Sequence, residues 1–298
     1  MTTSKDTIFE RFLSPVFQLL IDQDALRKLY ESVDWQVASD RFRRSDIVYP
    51  NYYSSRNFHG IEGGYLSPRA ALSYDPITQY ALLPNETMVR QSLIAAVQGQ
   101  PRRILDLGCG TGSTTLLLKQ AFPEAEVIGL DLSPYMLIMS DIKAQQAGLT
   151  LQLRHGLAEQ TGFPDASFDL ITASLLLHEL PPSASRAVLQ ESYRLLTVGG
   201  EVAVLDGSQQ MLRQVGWLNN IFEEPYIDRY AAGSVDAWMG AAGFGVVKTQ
   251  ELWWMHQVTH GVKPAKHKDP EAATVKLRSA SVLSNSSPND FDWQSATA

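Results

Sequence analysis

Ile104-Leu105-Asp106-Leu107-Gly108-Cys109-Gly110-Thr111-Gly112 is the stretch on which the fold of this 298-residue chain turns. A short apolar run with the pattern of a buried strand gives way to three glycines at alternate positions, and Ser113–Ala121 then carries a helical pattern. Glycines at a strand-to-helix turn let the backbone approach a ligand that any Cβ would block, and the helix N-terminus adds partial positive charge. Ser113 stands where a dinucleotide fingerprint would place its last glycine, and the absence of a following Gly-Lys-Ser/Thr excludes a Walker phosphate loop. Asp131, 25 residues beyond Asp106, ends a second apolar run, Val127–Leu130. A carboxylate at the tip of a second strand suits paired hydrogen bonds to vicinal ribose hydroxyls. The competing reading is a tight turn, with Asp131 capping the helix that begins at Ser133-Pro134. A glycine turn and a strand-tip acid at this spacing favour a nucleoside-binding site.

Outward from this point the pattern repeats. Leu151–Leu153, Phe168–Ala173 and Glu201–Leu205 read as further buried strands, most of them separated by helical stretches. Strand–helix alternation means βαβ units and a parallel sheet with helices on both faces. Val246–Leu252 and Trp254–His260 have no helix between them and read as a closing β-hairpin. The expected architecture over 87–262 is an α/β, Rossmann-like doubly wound domain with a mostly parallel seven-stranded sheet. Residues 1–86 read as a helical stretch followed by an aromatic-rich one. Ile8, Phe9, Phe12, Leu13, Val16, Phe17, Leu19 and Leu20 recur at helical intervals, and Asp22 or Asp24 caps a further helix carrying Leu26, Leu29, Tyr30 and Val33. Residues 46–86 crowd Tyr, Gly, Pro and Ser together, which is loop chemistry with many aromatic faces. Residues 263–298 lose apolar periodicity and read as a disordered tail.

The charge balance, 25 Lys+Arg against 32 Asp+Glu for a net −7, argues against a nucleic-acid or anionic-membrane binder and leaves a small-molecule partner. A single cysteine, Cys109, excludes an intrachain disulfide framework and a cysteine zinc site. No apolar run approaches the ~20 residues that span a bilayer, and Met1–Thr7 lacks the apolar core of a signal peptide, so a cytoplasmic protein is expected. The amphipathic N-terminal helix either buries its stripe on its own domain or touches a membrane transiently; Lys5, Arg11, Arg27 and Lys28 there are balanced by Asp6, Glu10, Asp22 and Asp24. The oligomeric state is left open.

Ile104–Gly112, Val127–Leu137, Gly156–Pro164 with Ser167–Ile171, and Leu195–Leu205 together resemble the motifs of class I S-adenosylmethionine-dependent methyltransferases. The similarity is strongest to the small-molecule branch that includes the ubiquinone and menaquinone biosynthesis C-methyltransferases. The resemblance implies S-adenosylmethionine as cofactor and makes residues 1–86 an N-terminal helical and aromatic cap. Asp106, Gly108 and Gly110 would border its methionine part, with Asp106 near the ammonium, and Gly112 would close the loop. Asp131 would hold the ribose, and Leu132 and Met136 would contact the adenine. Leu157 stands where the family commonly has an acidic residue against the adenine edge, followed by Ala158. Glu159 or water then substitutes, or that hydrogen bond is absent. Tyr74, just upstream, falls where relatives set a tyrosine against the cofactor carboxylate. Cys109 is expected to be a small filler beside the ligand.

Methyl transfer from a sulfonium is an in-line displacement, driven by positioning and exclusion of water. Ser174 ends the fourth strand and borders the cofactor side, and the loop beyond carries His178 and Glu179. His178 is either a base or orienter for the acceptor, or a packing residue on a turn. No metal is expected: His155, His256, His260 and His267 lack carboxylate or cysteine partners at ligand spacing. Tyr52, Tyr53, Phe58, His59, Tyr65, Tyr74 and Tyr80, with Gly60, Gly63 and Gly64, either fold over the cofactor as a lid lining an acceptor pocket or pack the cap onto the sheet. The expected function is methyl transfer to a small aromatic or lipophilic acceptor. The alternatives are a transferase using another S-adenosylmethionine derivative, or a non-enzymatic scaffold that binds the cofactor.

Overall fold

Seven strands hydrogen-bond in the order β3-β2-β1-β4-β5-β7-β6. They are β1 (Arg103–Leu107), β2 (Glu126–Asp131), β3 (Gln152–His155), β4 (Phe168–Ser174), β5 (Leu196–Gly207), β6 (Gly245–Leu252) and β7 (His256–Val262). The first five run parallel, and β7 enters antiparallel between β5 and β6. This is the Rossmann-like arrangement expected from the sequence. The chain is seen in a computed structural model that describes residues 22–55, 58, 64–82, 84–216 and 225–265. The expected helix over residues 8–20, His59 with Gly60 and Gly63, and the chain beyond 265 lie outside these residues, as does the side chain of Tyr80.

Alternation along the strands builds the two faces. Ile104 of β1 joins Leu118, Val127 and Leu170 on one face, while Leu105 and Leu107 join Ile128, Ile171 and Val204 on the other. The first face is covered by α5 (Glu86–Ala96) and α6 (Ser113–Ala121) and the second by α8 (Pro182–Leu195). Between α6 and α8 in sequence lies α7 (Pro134–Gln146), entered through Ser133, whose hydroxyl accepts from the Met136 N–H.

The cap departs from the loop expected over 46–86. Asp22 does cap α1 (Gln23–Ser32), as its side chain accepts from the Ala25 N–H. After α2 (Trp35–Phe42) come a single helical turn, α3 (Asn51–Ser54), and a full helix, α4 (Pro68–Ala81). Ser67 caps α4 and Pro68 occupies its first turn, a start signal that outweighs Pro76 inside the helix. The aromatic residues stabilise it by burial: Phe58, Tyr53, Tyr65 and Leu72 pack with Met136 and Met139 of α7 in a cluster separate from the sheet core. At the other end of the chain, Trp254 sits in the β6–β7 turn rather than in a strand. Lys263, assigned to the tail by its composition, is still held by backbone bonds to Gly199 and Gly200.

Gly112, the last position of the loop, tolerates no side chain. Its φ is +83°, and a Cβ there would lie 2.2 Å from Ser140 Oγ and 3.3 Å from Ser140 Cα on α7. Left-handed backbone costs an alanine about 1–2 kcal/mol, and the clash adds a similar amount. Gly112→Ala is therefore expected to lower stability by about 2–4 kcal/mol in urea unfolding; an unchanged midpoint would mean that loop and helix do not touch in solution.

Candidate active site

The carboxyl ends of β1, β2 and β4 open under the cap into a cleft of about 680 Å³, part of it open to solvent. Crevices of this kind, outside the strand ends of an open α/β sheet, are where such folds bind ligands. Its floor is the glycine turn. Gly108 and Gly110, with φ of +63° and +53°, both line the cleft. A Cβ on Gly108 would come within 2.7 Å of Leu176 Cδ1, so the glycine lets the β4 loop close over it. Leu175 makes that reversal from a left-handed conformation of its own, φ +58°, a strained backbone of the kind that collects at functional sites.

Asp131 projects into the cleft from the end of β2. Its two oxygens accept from the Ser133 N–H at 2.7 Å and the Gly110 N–H at 2.8 Å. Burial is the strongest influence on this carboxyl and, despite those two donors, pushes it up to about 6. Leu132, Met136, Leu157 and Ala158 surround it and give the cleft an apolar wall. Ser174 and Tyr74 line the opposite side.

Three expected cofactor residues stand behind the cleft rather than on its wall. Asp106 is 1% exposed and accepts from Thr115 and Thr172 hydroxyls at 2.6 and 2.7 Å, so it ties β1 to α6 and β4. Cys109 packs against Gly129, where a Cβ would lie 2.9 Å from its sulfur, and burial raises its thiol well above the usual range. Gly112 faces α7. The three shape the turn from beneath.

The pair expected at His178 and Glu179 is split. Both belong to a 3-10 turn, Leu177–Glu179, in which neighbouring side chains point about 120° apart. His178 turns inward, its Nδ1 bonded to Asp206, and does not line the cleft. Asp206, 1% exposed at the end of β5, also accepts from the Leu177, His178 and Gly207 N–H groups at 2.8, 3.3 and 2.8 Å. Glu179 turns outward to the cleft and accepts from the Tyr65 hydroxyl at 2.9 Å.

Tyr52, Tyr53, Tyr65 and Tyr74 bring the cap to the cleft wall, with the Tyr65 and Tyr74 rings edge to face at 5.6 Å. Tyr52 donates its hydroxyl to Glu159, which also lines the cleft. Burial holds the Tyr52, Tyr53 and Tyr74 phenols above their usual range, so they stand protonated as donors and apolar faces. Tyr49 instead reaches His155, whose Nε2 lies 2.9 Å from the Leu132 carbonyl while Nδ1 accepts from the Arg44 N–H. That pattern fixes the neutral ring with its hydrogen on Nε2, and burial keeps it neutral.

Two cations escaped the sequence reading. Arg90 on α5 is 5% exposed; it pairs with Glu86 at 2.8 Å and donates to Thr114 and Ser174 hydroxyls at 2.8 and 3.1 Å. Only the Glu86–Arg90 spacing on a helix face hints at it. Lys143 on α7 bonds Asp75 and the Ser113 hydroxyl, each at 2.8 Å, and so pins the cap helix carrying Tyr74 to the glycine turn. Among the described residues no group of three or more His, Cys, Asp and Glu side chains is placed to hold a metal ion, and no helix is long and apolar enough to cross a membrane.

Comparison with known proteins agrees with this geometry. Residues 104–200 match the model of a methyltransferase domain. The demethylmenaquinone methyltransferase of Thermus thermophilus is 31% identical over 179 residues, covering 53% of this chain and 80% of that protein. The Lactobacillus johnsonii demethylmenaquinone methyltransferase is 36% identical over 137 residues, 44% of this chain and 55% of that protein. The chain thus spans most of the first relative but only about half of the second. Among solved structures, a SAM-dependent methyltransferase from Aquifex aeolicus shares the fold with a TM-score of 0.52 at 18% identity, over 66% of this chain and 98% of that one. The methyltransferase SibL in its apo form has a TM-score of 0.52 at 22% identity, over 66% and 59% of the two chains. A strand–glycine turn–helix with a strand-tip acid, on this sheet order and with these relatives, means that the chain belongs to the class I S-adenosylmethionine-dependent methyltransferases akin to the quinone C-methyltransferases, with S-adenosylmethionine as its cofactor.

Proposed function

We propose that this methyltransferase acts on a small, lipophilic aromatic acceptor of the reduced-quinone or hydroxylated-ring type. The observation that carries this reading is the composition of the cleft: four tyrosines and the leucines Leu175, Leu176 and Leu180 face the glycine turn and Asp131 across one opening, and among the described residues no Lys, Arg or His lines it. Aromatic faces and aliphatic side chains suit a flat apolar ring, and the lack of a cation disfavours a phosphate or carboxylate acceptor. The two relatives named for demethylmenaquinone point the same way.

The residues present fit the cofactor. Asp131 would accept the ribose hydroxyls while keeping its two backbone donors, and Leu132 and Met136 would face the adenine across from Leu157 and Ala158. Gly108 and Gly110 would let the methionine part lie against the turn, with Ser174, Tyr74 and the Arg90 charge behind them at that end. Bound S-adenosylmethionine supplies a methyl group on a sulfonium, open to in-line attack. The chain's own part is to hold the acceptor ring against that methyl and exclude water, which is the task of Tyr52, Tyr53 and Tyr65.

Calorimetry with S-adenosylmethionine, followed by incubation with 1,4-dihydroxynaphthalene under reducing conditions, tests the reading. The expected product is heavier by one methylene unit by mass spectrometry. Cofactor binding with modification of only carboxylate or phosphate acceptors from a metabolite panel would overturn it.

A further inference from the structure

We propose that Glu179 is the group that takes the acceptor's hydroxyl proton, and that Tyr65 is the positioning residue that aims its carboxylate. The inference rests on the acceptor class proposed above. Among the described residues three carboxylates line the cleft, each with a hydrogen-bond donor, and they differ in where they sit. Asp131 spends both oxygens on the Gly110 and Ser133 N–H groups beside the ribose end, and Glu159 holds the Tyr52 hydroxyl on the same side, next to Ala158. Glu179 lies at the other side, on the turn after β4, between Leu176 and Leu180 where the acceptor ring would enter. His178, the more obvious base by residue type, faces Asp206 beneath the turn and does not reach the cleft wall.

The surroundings are built to hold this one carboxylate in place. Asp206 collects the Leu177 and His178 N–H groups and the His178 ring, which fixes the backbone of the turn. Tyr65, 5% exposed and 2.9 Å away, fixes the side chain from the cap. Tyr65 is itself seated, because its carbonyl accepts from the Ser133 hydroxyl at 2.6 Å. The cap, the helix after Asp131 and the turn after β4 thus converge on one acid.

The step balances without any further reactant. The acceptor O–H bond breaks and its proton passes to the Glu179 carboxylate. The freed electron pair is delocalised into the ring, and the ring carbon beside the hydroxyl forms the new bond to methyl. The carbon–sulfur bond breaks with its pair going to sulfur, which becomes a neutral thioether. The ring C–H proton then leaves to solvent as aromaticity returns, and the proton held by Glu179 goes back to the ring oxygen, restoring the carboxylate.

The test is Glu179→Gln, which keeps shape and hydrogen bonding but accepts no proton. It should lower kcat about 10²–10⁴-fold on 1,4-dihydroxynaphthalene, the usual contribution of a positioned base, with S-adenosylmethionine affinity by calorimetry unchanged. Hydroxynaphthalenes whose substituents make the hydroxyl progressively more acidic should recover most of that loss in the variant, because they arrive ionised; a merely structural defect would depress all of them alike. Tyr65→Phe should show a smaller fall in kcat with the same recovery. Wild-type turnover in Glu179→Gln, or a loss that acidic acceptors do not relieve, overturns the base while leaving the acceptor class standing. Failure of the wild type to methylate any hydroxylated ring, with cofactor bound, overturns both.

Discussion

Asp131→Asn should bind S-adenosylmethionine about 10–100-fold more weakly while its melting temperature stays within a few degrees of wild type, since hydrogen bonds to a charged group contribute about 1.5–3 kcal/mol. The two effects separate because the carboxylate is unfavourable to the fold yet proposed to hold the ribose. Burial pushes this carboxyl up to about 6, above its range in an unfolded chain, so the folded protein binds the proton more tightly than the unfolded one. As pH falls through about 6, the cofactor-free protein therefore gains stability, and the gain levels off near the ordinary carboxylate range of about 3.9. Cofactor affinity moves the other way over the same interval, because a protonated Asp131 offers one acceptor fewer. Asparagine imitates the neutral form at all pH values. Its amide oxygen can accept from only one of the Gly110 and Ser133 N–H groups, which offsets part of the relief from removing the buried charge, and the pH dependence of both stability and binding between about 4 and 7 should flatten. Calorimetry and thermal unfolding at several pH values check this. A mutant with full affinity would remove Asp131 from the ribose site.

Asp206→Ala should cost about 3–5 kcal/mol, the range expected when one partner of a buried polar pair is deleted. The residue is 1% exposed and serves three backbone N–H groups besides the His178 ring. Alanine would strand all of them in a dry environment, each at about 1–3 kcal/mol if nothing relaxed. His178→Ala removes only one of the four partners and should cost markedly less. The order of the two variants in chemical denaturation is the check. If His178→Ala proved the more harmful, the turn would be organised by the ring and not by the carboxylate.

What could be read from the sequence was what repeats with a fixed period or sits at a fixed offset. The strand and glycine pattern at Ile104–Gly112, the acid at Asp131 and the alternation that follows are local signals, and the mostly parallel sheet with its closing hairpin followed from them, whereas the strand order and the Asp131–Gly110 contact came only with the structure. Leu132, Met136, Leu157 and Ala158, which line the cleft, were singled out only through the family resemblance and not by any local signal. The rest depends on contacts between distant positions. Neither Asp206, 28 residues from His178, nor Tyr65, 114 residues from Glu179, carries a mark of its partner. Adjacent residues in sequence suggested a His178–Glu179 pair, whereas the narrow 3-10 turn sends them to different environments. Asp106 gave the opposite lesson: an acid beside a glycine turn reads as a ligand group, but two threonine hydroxyls hold it under the floor. The helix α4 was hidden because tyrosine, proline and serine resemble a loop until their rings have a surface to cover.

The cap cluster of Phe58, Tyr53 and Tyr65 is distinct from the cores on the two sheet faces and meets the rest of the protein through Met136 and Met139 of α7. Separately stabilised clusters come apart separately. Were the cap to lift as a sub-global unit with the sheet still hydrogen-bonded, it would uncover the Met136 and Met139 faces and break polar ties such as Tyr65–Glu179, Tyr52–Glu159 and Lys143–Asp75. A bulky acceptor would then enter through a transient partial unfolding, and the size limit on substrates would be set by the energetics of that opening, not by the dimensions of the closed cleft.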